Sequence, residues 1–180
     1  MNTSLRYLVV LASMLLGTTI VSAQDDTALS VRADSVLAVA HSIISNTPFC
    51  ALVTLDGQGM PHVRTMEPFT PDEDLTIWMA TNPQSRKVEH IRSNSTVVLH
   101  YLEAARPGYV TIHGQARLVD DPAEKKARWK DSWEPFYPDR EKGYLLIEVT
   151  PQRIEVVSAP DGILGDSLSW RPPAIQIPQQ

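Results

Sequence analysis

The feature that most restricts this chain is a series of short apolar-alternating segments separated by turn residues. "FCALVTL" (49–55) runs into Asp56-Gly57-Gln58-Gly59 and then "MPHVRTMEPF" (60–69), a hairpin signal. "PDED" (71–74) turns the chain again before "LTIWMAT" (75–81). "TVVLHYL" (96–102) follows a short helical stretch. "EAARPG" then leads into "YVTIHGQARLV" (109–119), where Gly114 marks a bulge or close approach. "GYLLIEVTPQRIEVV" (143–157) supplies the last strand, or two strands around Pro151. Hairpins dominate, so the sheet is mostly antiparallel. Six strands with inserted helices predict a mainly β fold, a small β-barrel with peripheral helices. A barrel this small leaves ligands to its rim or to a subunit interface.

Three helices are predicted around these strands. Residues 24–46 place Leu29, Ala33, Val36, Leu37, Ala40, Ile43 and Ile44 at helical spacing. Asp25, Asp26 and Thr27 supply the start, and Pro48 the stop. Residues 82–94 have Asn82 as N-cap and Pro83 as first helical residue. Residues 121–133 begin with Asp121 and Pro122 in the same roles, and Trp129 and Trp133, four apart, share a face. The stretch 158–180 is rich in Pro and Gly and is expected to lie over the surface.

The first 23 residues, "MNTSLRYLVVLASMLLGTTIVSA", read as a secretory signal peptide. Arg6 precedes an apolar run, and Val21-Ser22-Ala23 matches a small-x-small cleavage site. The run is short for a membrane span and is interrupted by Gly17, Thr18 and Thr19. A domain at 24–157 and a tail at 158–180 remain, in an exported, periplasmic or secreted product with no membrane attachment. Removing a segment whose only charge is Arg6 moves the net charge from −5 to about −6. Such an acidic chain argues against general nucleic-acid binding. The single cysteine, Cys50, excludes an internal disulfide and reads as a small buried hydrophobe.

"TNPQSRKVEHIRSN" (81–94) places Arg86 and Lys87 near a helix N-terminus, which carries about half a positive charge. Free backbone N–H groups, the Ser85 hydroxyl and two cations are the means by which a helix start binds a phosphate. A solvated basic turn balanced by Glu89 or Glu67 fits the same residues. On strand two, His62, Arg64 and Met66 point one way and Pro61, Val63 and Thr65 the other. If strands two and three pair, Arg64 joins Ser85, Arg86 and Lys87 around one anion. An edge-strand Arg in water is the alternative.

"TNPQSRKVEHIRSNSTVVLHY" resembles the T-N-x-x-S-R-K segment of the pyridoxamine 5′-phosphate oxidase-like, FMN-binding split barrels, in particular their general stress protein 26 branch. "HVRTM" is similar to that branch's H-x-R-P-M, with Thr65 in place of Pro. "YVTIHGQARLVDD" is similar to its G-x-A-R-L-V-D-D strand. The resemblance spans residues 47–157 and implies a six-stranded antiparallel split barrel binding FMN across a homodimer interface. Carried over by motif, Arg64 and Lys87 hold the phosphate, with Ser85 and Arg86 beside them. Thr65, Met66, Ala80 and Thr81 line the ring and ribityl chain, and Tyr109 supplies a polar flavin contact. The chain departs from true pyridoxamine phosphate oxidases in two places. It has no late Arg-x-His motif, and Phe69 stands where those enzymes carry a Lys. Oxidation of pyridoxamine phosphate is therefore disfavoured, and a flavin-dependent oxidoreductase of unassigned substrate is expected. Two alternatives are a non-enzymatic flavin- or haem-binding protein and a deazaflavin-dependent reductase.

The five histidines, His41, His62, His90, His100 and His113, show no zinc-site spacing. A haem reading would take one of them as axial ligand. Trp129 and Trp133 are expected to pack on the barrel. Trp170, in the Pro-rich tail, is expected to cover the partner subunit or the flavin edge.

Overall fold

The computed structural model describes residues 18–178. The first 17 residues, most of the segment read as a signal peptide, lie outside the described residues. Contacts divide the chain into two units, Met1–Ala38 and Val39–Gln180, each described by itself. Helix α1 (Thr18–Asn46) crosses the boundary between them. It starts six residues before the predicted position, because no Pro or Gly breaks the stretch from Thr18 onward. Asp25, Asp26 and Thr27 therefore lie inside the helix rather than at its cap. Among the described residues, no helix is long and apolar enough to cross a membrane.

The second unit is built on one antiparallel sheet. Its strands are β1 (Cys50–Leu55), β2 (Pro61–Met66), β3 (Ile77–Thr81), β4 (Thr96–Glu103), β5 (Gly108–Val119), β6 (Leu145–Ser158) and β7 (Ala174–Gln176). They run in the order β2-β1-β4-β5-β6-β3, with β7 pairing β6 beyond β3. The seventh strand comes from the tail, which is thus partly sheet. Strand β6 also runs one residue past the expected boundary, to Ser158.

Strands two and three do not form a hairpin. β2 pairs with β1, and β3 pairs with β6. Between them only Pro68 and Met79 form a bridge, with Phe69 N–H donating to the Trp78 carbonyl at 2.8 Å. The sheet is therefore split rather than closed, and two strand edges diverge from that bridge.

Alternation decides the core. Cys50, Leu52 and Thr54 of β1 are buried, as are Val97, Leu99 and Tyr101 of β4 and Val110 and Ile112 of β5. Gly114 sits at a register shift between β5 and β6. A Cβ there would lie 2.5 Å from the Thr150 carbonyl oxygen, so the close approach requires glycine. After this bulge the buried set in β6 changes phase from Ile147 and Val149 to Ile154 and Val156.

Two short helices flank the sheet. Helix α2 (Arg86–Ser93) buries Val88, His90 and Ile91 and packs against β1 and β5. Helix α3 (Pro122–Ala127) starts as predicted, with Asp121 Oδ1 accepting from the N–H groups of Ala123 and Glu124 at 2.9 Å. It ends earlier than expected, and a single 3-10 turn (Asp131–Trp133) follows. The loop aromatics explain the early stop. Trp133 is buried with Trp78, Tyr144 and Leu146, and Trp129 meets it edge-on at 6.0 Å between ring centroids.

Candidate anion and cofactor site

The predicted helix start moves once the backbone is seen. Asn82 caps a turn instead of a helix. Its side chain accepts from Gln84 N–H at 2.8 Å, and its carbonyl accepts from Ser85 N–H at 3.0 Å. An Asn that satisfies its own turn leaves the helix to begin later. Ser85 becomes the N-cap residue, and Arg86 and Lys87 become the first two helical positions. The cations thus stand closer to the positive end of the dipole than predicted.

Ser85 does not cap its own helix. Its hydroxyl instead bonds Thr81 Oγ1 at 3.0 Å, and Lys87 Nζ donates to the same Thr81 oxygen at 3.0 Å. The N–H groups of Arg86 and Lys87 find no acceptor among the described residues. Two backbone donors at the start of α2 are left open.

Arg64 approaches from β2. Its Nη1 donates to the Leu52 carbonyl at 3.1 Å and to Thr54 Oγ1 at 2.8 Å. Burial, then the charge of Arg86, holds its guanidinium below its ordinary pKa. Lys87 is likewise lowered, by burial first and then by Arg64. Three cations repel one another here, and among the described residues none of them is ion-paired to a carboxylate. Glu67, a candidate counter-ion from the sequence, pairs with Lys130 at 2.8 Å instead. Like charges gathered without a counter-ion are suited to an external anion.

Behind Arg64 lies a chain of groups that the sequence did not reveal. Thr54 Oγ1 meets His90 Nδ1 at 2.9 Å. The His90 ring lies 4.8 Å from that of His62, whose Nε2 meets Asp56 Oδ2 at 3.0 Å. Burial above all, then His62 and Arg64, lowers the His90 pKa, while Asp56 and Glu89 act weakly against this. The imidazole is held neutral, and it anchors the hydroxyl that in turn holds Arg64.

Other predicted residues separate. Met66 and Thr81 are buried on the interior face with the cations, whereas Thr65 is exposed on the opposite face. Ala80 packs against the Trp78 and Trp133 cluster, away from Thr81. Tyr109 lies on β5, its ring 5.4 Å from that of His100. No contact joins it to Arg64 or Lys87 among the described residues. Cys50 is buried, and burial pushes its thiol up to about 11, which removes it as a nucleophile at neutral pH. Among the described residues no group of three or more His, Cys, Asp or Glu is arranged to hold a metal ion.

Residues 38–158 match the family described as Pyridoxamine 5′-phosphate oxidase. Among solved structures, the general stress protein 26 of Bacillus anthracis str. Sterne is 23% identical, with a TM-score of 0.63 over 78% of this chain and 98% of that one. A protein related to general stress protein 26 from Clostridium acetobutylicum is 18% identical, with a TM-score of 0.65 over 78% of this chain and 94% of that one. A structure named F420 reductase is 18% identical, with a TM-score of 0.52 over 63% of this chain and 94% of that one. At these identities the structures speak for the fold alone, and among curated proteins none matches this chain. The family match covers more than half of the sequence and agrees with the split antiparallel sheet: the chain belongs to the pyridoxamine 5′-phosphate oxidase-like split-barrel family.

Proposed function

We propose that this protein binds FMN and acts as a flavin-dependent oxidoreductase on a substrate other than pyridoxamine 5′-phosphate. The observation that carries this reading is the meeting of Arg64, Arg86 and Lys87 without a carboxylate, beside two open N–H groups. Arg64 and Lys87 would hold the phosphate, with Ser85 and Arg86 flanking it. Once bound, a flavin supplies electron transfer, and the protein supplies binding and orientation. The diverging edges of β2 and β3 carry backbone groups free to meet its ring. Met66 and Thr81 reach that gap with side chains, while Thr65 and Ala80 contribute through backbone. Tyr109 is assigned to the partner's cofactor in a homodimer, since it stands apart from its own chain's cations.

The apolar outer face supports that homodimer. Val63, Val53 and Val98 align across β2, β1 and β4, and Val63 is 65% exposed. Residues 1–23 carry the composition of a Sec-type signal peptide, so we place the mature protein outside the cytoplasm, starting at Gln24. Mass spectrometry of the exported product checks that start.

The functional test is reconstitution with FMN, gel filtration, and then reduction by a nicotinamide donor with an acceptor present. Retained flavin bands and turnover support an enzyme. Retained bands without turnover under any donor would reduce the protein to a flavin carrier. A deazaflavin is the second reading, favoured by the F420 reductase neighbour. Tighter retention of F420 than of FMN would select it.

A further inference from the structure

The sheet does not explain how Arg64 comes to face the start of α2. Arg64 lies on β2, which pairs with β1, whereas α2 follows β3, which pairs with β6. Among the described residues only the Pro68–Met79 bridge, beyond the end of β2, links the two segments. The two sides of the anion site therefore stand on strands that share no ladder, and side chains must set them against each other.

Two buried threonines do so, one on each side of the split. Thr81, at the end of β3, accepts from Lys87 Nζ and bonds the Ser85 hydroxyl. Thr54, on β1, accepts from Arg64 Nη1 at 2.8 Å. Its own hydrogen is left to donate, and His90 Nδ1 lies 2.9 Å away. His90 stands three residues after Lys87 on α2 and shares its helix face. One oxygen thus joins Arg64 to the helix that carries Lys87. Arg64 Nη1 also donates to the Leu52 carbonyl at 3.1 Å, so both of its hydrogens are spent within the protein. Nη2 and Nε have no acceptor among the described residues and are the atoms free for an anion. A guanidinium fixed by one nitrogen presents the others in a set plane, and little rotamer freedom is left to lose on binding.

We propose that Thr54 and His90 are positioning residues for the phosphate site inferred above, holding the Arg64 guanidinium ready for an anion that neither of them touches. This role rests on that phosphate reading. It makes selectivity for FMN over riboflavin depend on a hydroxyl and an imidazole outside the site.

The test uses the full chain titrated with FMN or riboflavin, with flavin fluorescence giving both affinities. Thr54→Val, which keeps the shape and removes the oxygen, should weaken FMN about tenfold and riboflavin by less than about twofold. Thr54→Ser restores the oxygen and should bring FMN affinity back to within about threefold of the parent. In an Arg64→Ala background Thr54→Val should have no further effect on FMN, since the threonine acts through that side chain. If Thr54→Val does not fold, His90→Phe, which keeps a ring but offers the hydroxyl no nitrogen, decides the matter and should weaken FMN selectively in the same way. A parent chain that binds both flavins alike overturns the phosphate site and this role together. A parent that favours FMN, beside a Thr54→Val variant that favours it equally, overturns this role alone. Equal weakening of both flavins, or an additive loss in the double variant, does the same.

Discussion

Thr54 is where the barrel interior and the cation cluster are joined. Its hydroxyl accepts from Arg64 Nη1 and bonds His90 Nδ1, so one oxygen holds a cation and a neutral ring in place. Thr54→Val keeps the shape and removes that oxygen. It should cost about 1–3 kcal/mol, because buried His90 loses its partner, and urea unfolding measures this. His90 adds a pH dependence whose sign is fixed by its lowered pKa. The unfolded state binds its proton near the ordinary value of 6.5 and the folded state only at lower pH. Stability is therefore fully present above that value and declines as pH falls below it. Unfolding of His90→Gln should show a shallower decline between about pH 7 and 5 than the parent chain. Asp56 acts in a separate window. Its carboxylate, lowered from 3.8 to about 2 by His62 and by backbone donors, loses its contribution only in stronger acid. Motif and strand alternation single out Arg64, Ser85, Arg86 and Lys87, but the β2–β3 pairing expected to gather them does not form, and Arg64 meets the start of α2 across the split between β2 and β3 instead. Thr54, His90 and Asp56 were not legible, because their meeting depends on the β1–β2 register and on how α2 docks.

Among the elements, punctuation in the sequence is unambiguous where one residue has one use. Asp121-Pro122 starts α3 as expected, and Gly114 marks the bulge. Asn82-Pro83 misled, because the Asn side chain serves a turn as readily as a helix. The hairpin predicted across Asp56–Gly59 forms, pairing β2 with β1, but the partner of β3 was not legible. A short connection suggests pairing β3 with β2, yet the long β6 takes β3 along its first half. Tertiary pairing overrode proximity in sequence, and the gap it left gives the flavin reading its backbone donors. Gly114→Ala tests the close approach of β5 to β6. The added methyl group meets backbone rather than a movable side chain, so a loss of about 1–3 kcal/mol is expected in urea unfolding.

For the whole molecule, the proposed flavin site calls for a homodimer. The valine row across β2, β1 and β4 leaves an apolar face half-exposed on one chain. Val98→Asp places a charge in that row and should give a monomer by analytical ultracentrifugation, with weaker retention of FMN. A dimer unaffected by the change would place the interface elsewhere. The proposed function rests on Arg64, Arg86 and Lys87 gathering to hold a phosphate. Comparing FMN with riboflavin, which differs only in lacking that phosphate, by equilibrium dialysis against the parent chain and the Arg64→Ala, Lys87→Ala double variant tests it most directly. FMN should bind the parent at least about a hundredfold tighter than riboflavin, from two charge-assisted contacts, and the two should bind a folded double variant weakly and near-equally. Equal affinity of the parent chain for the two flavins would contradict it.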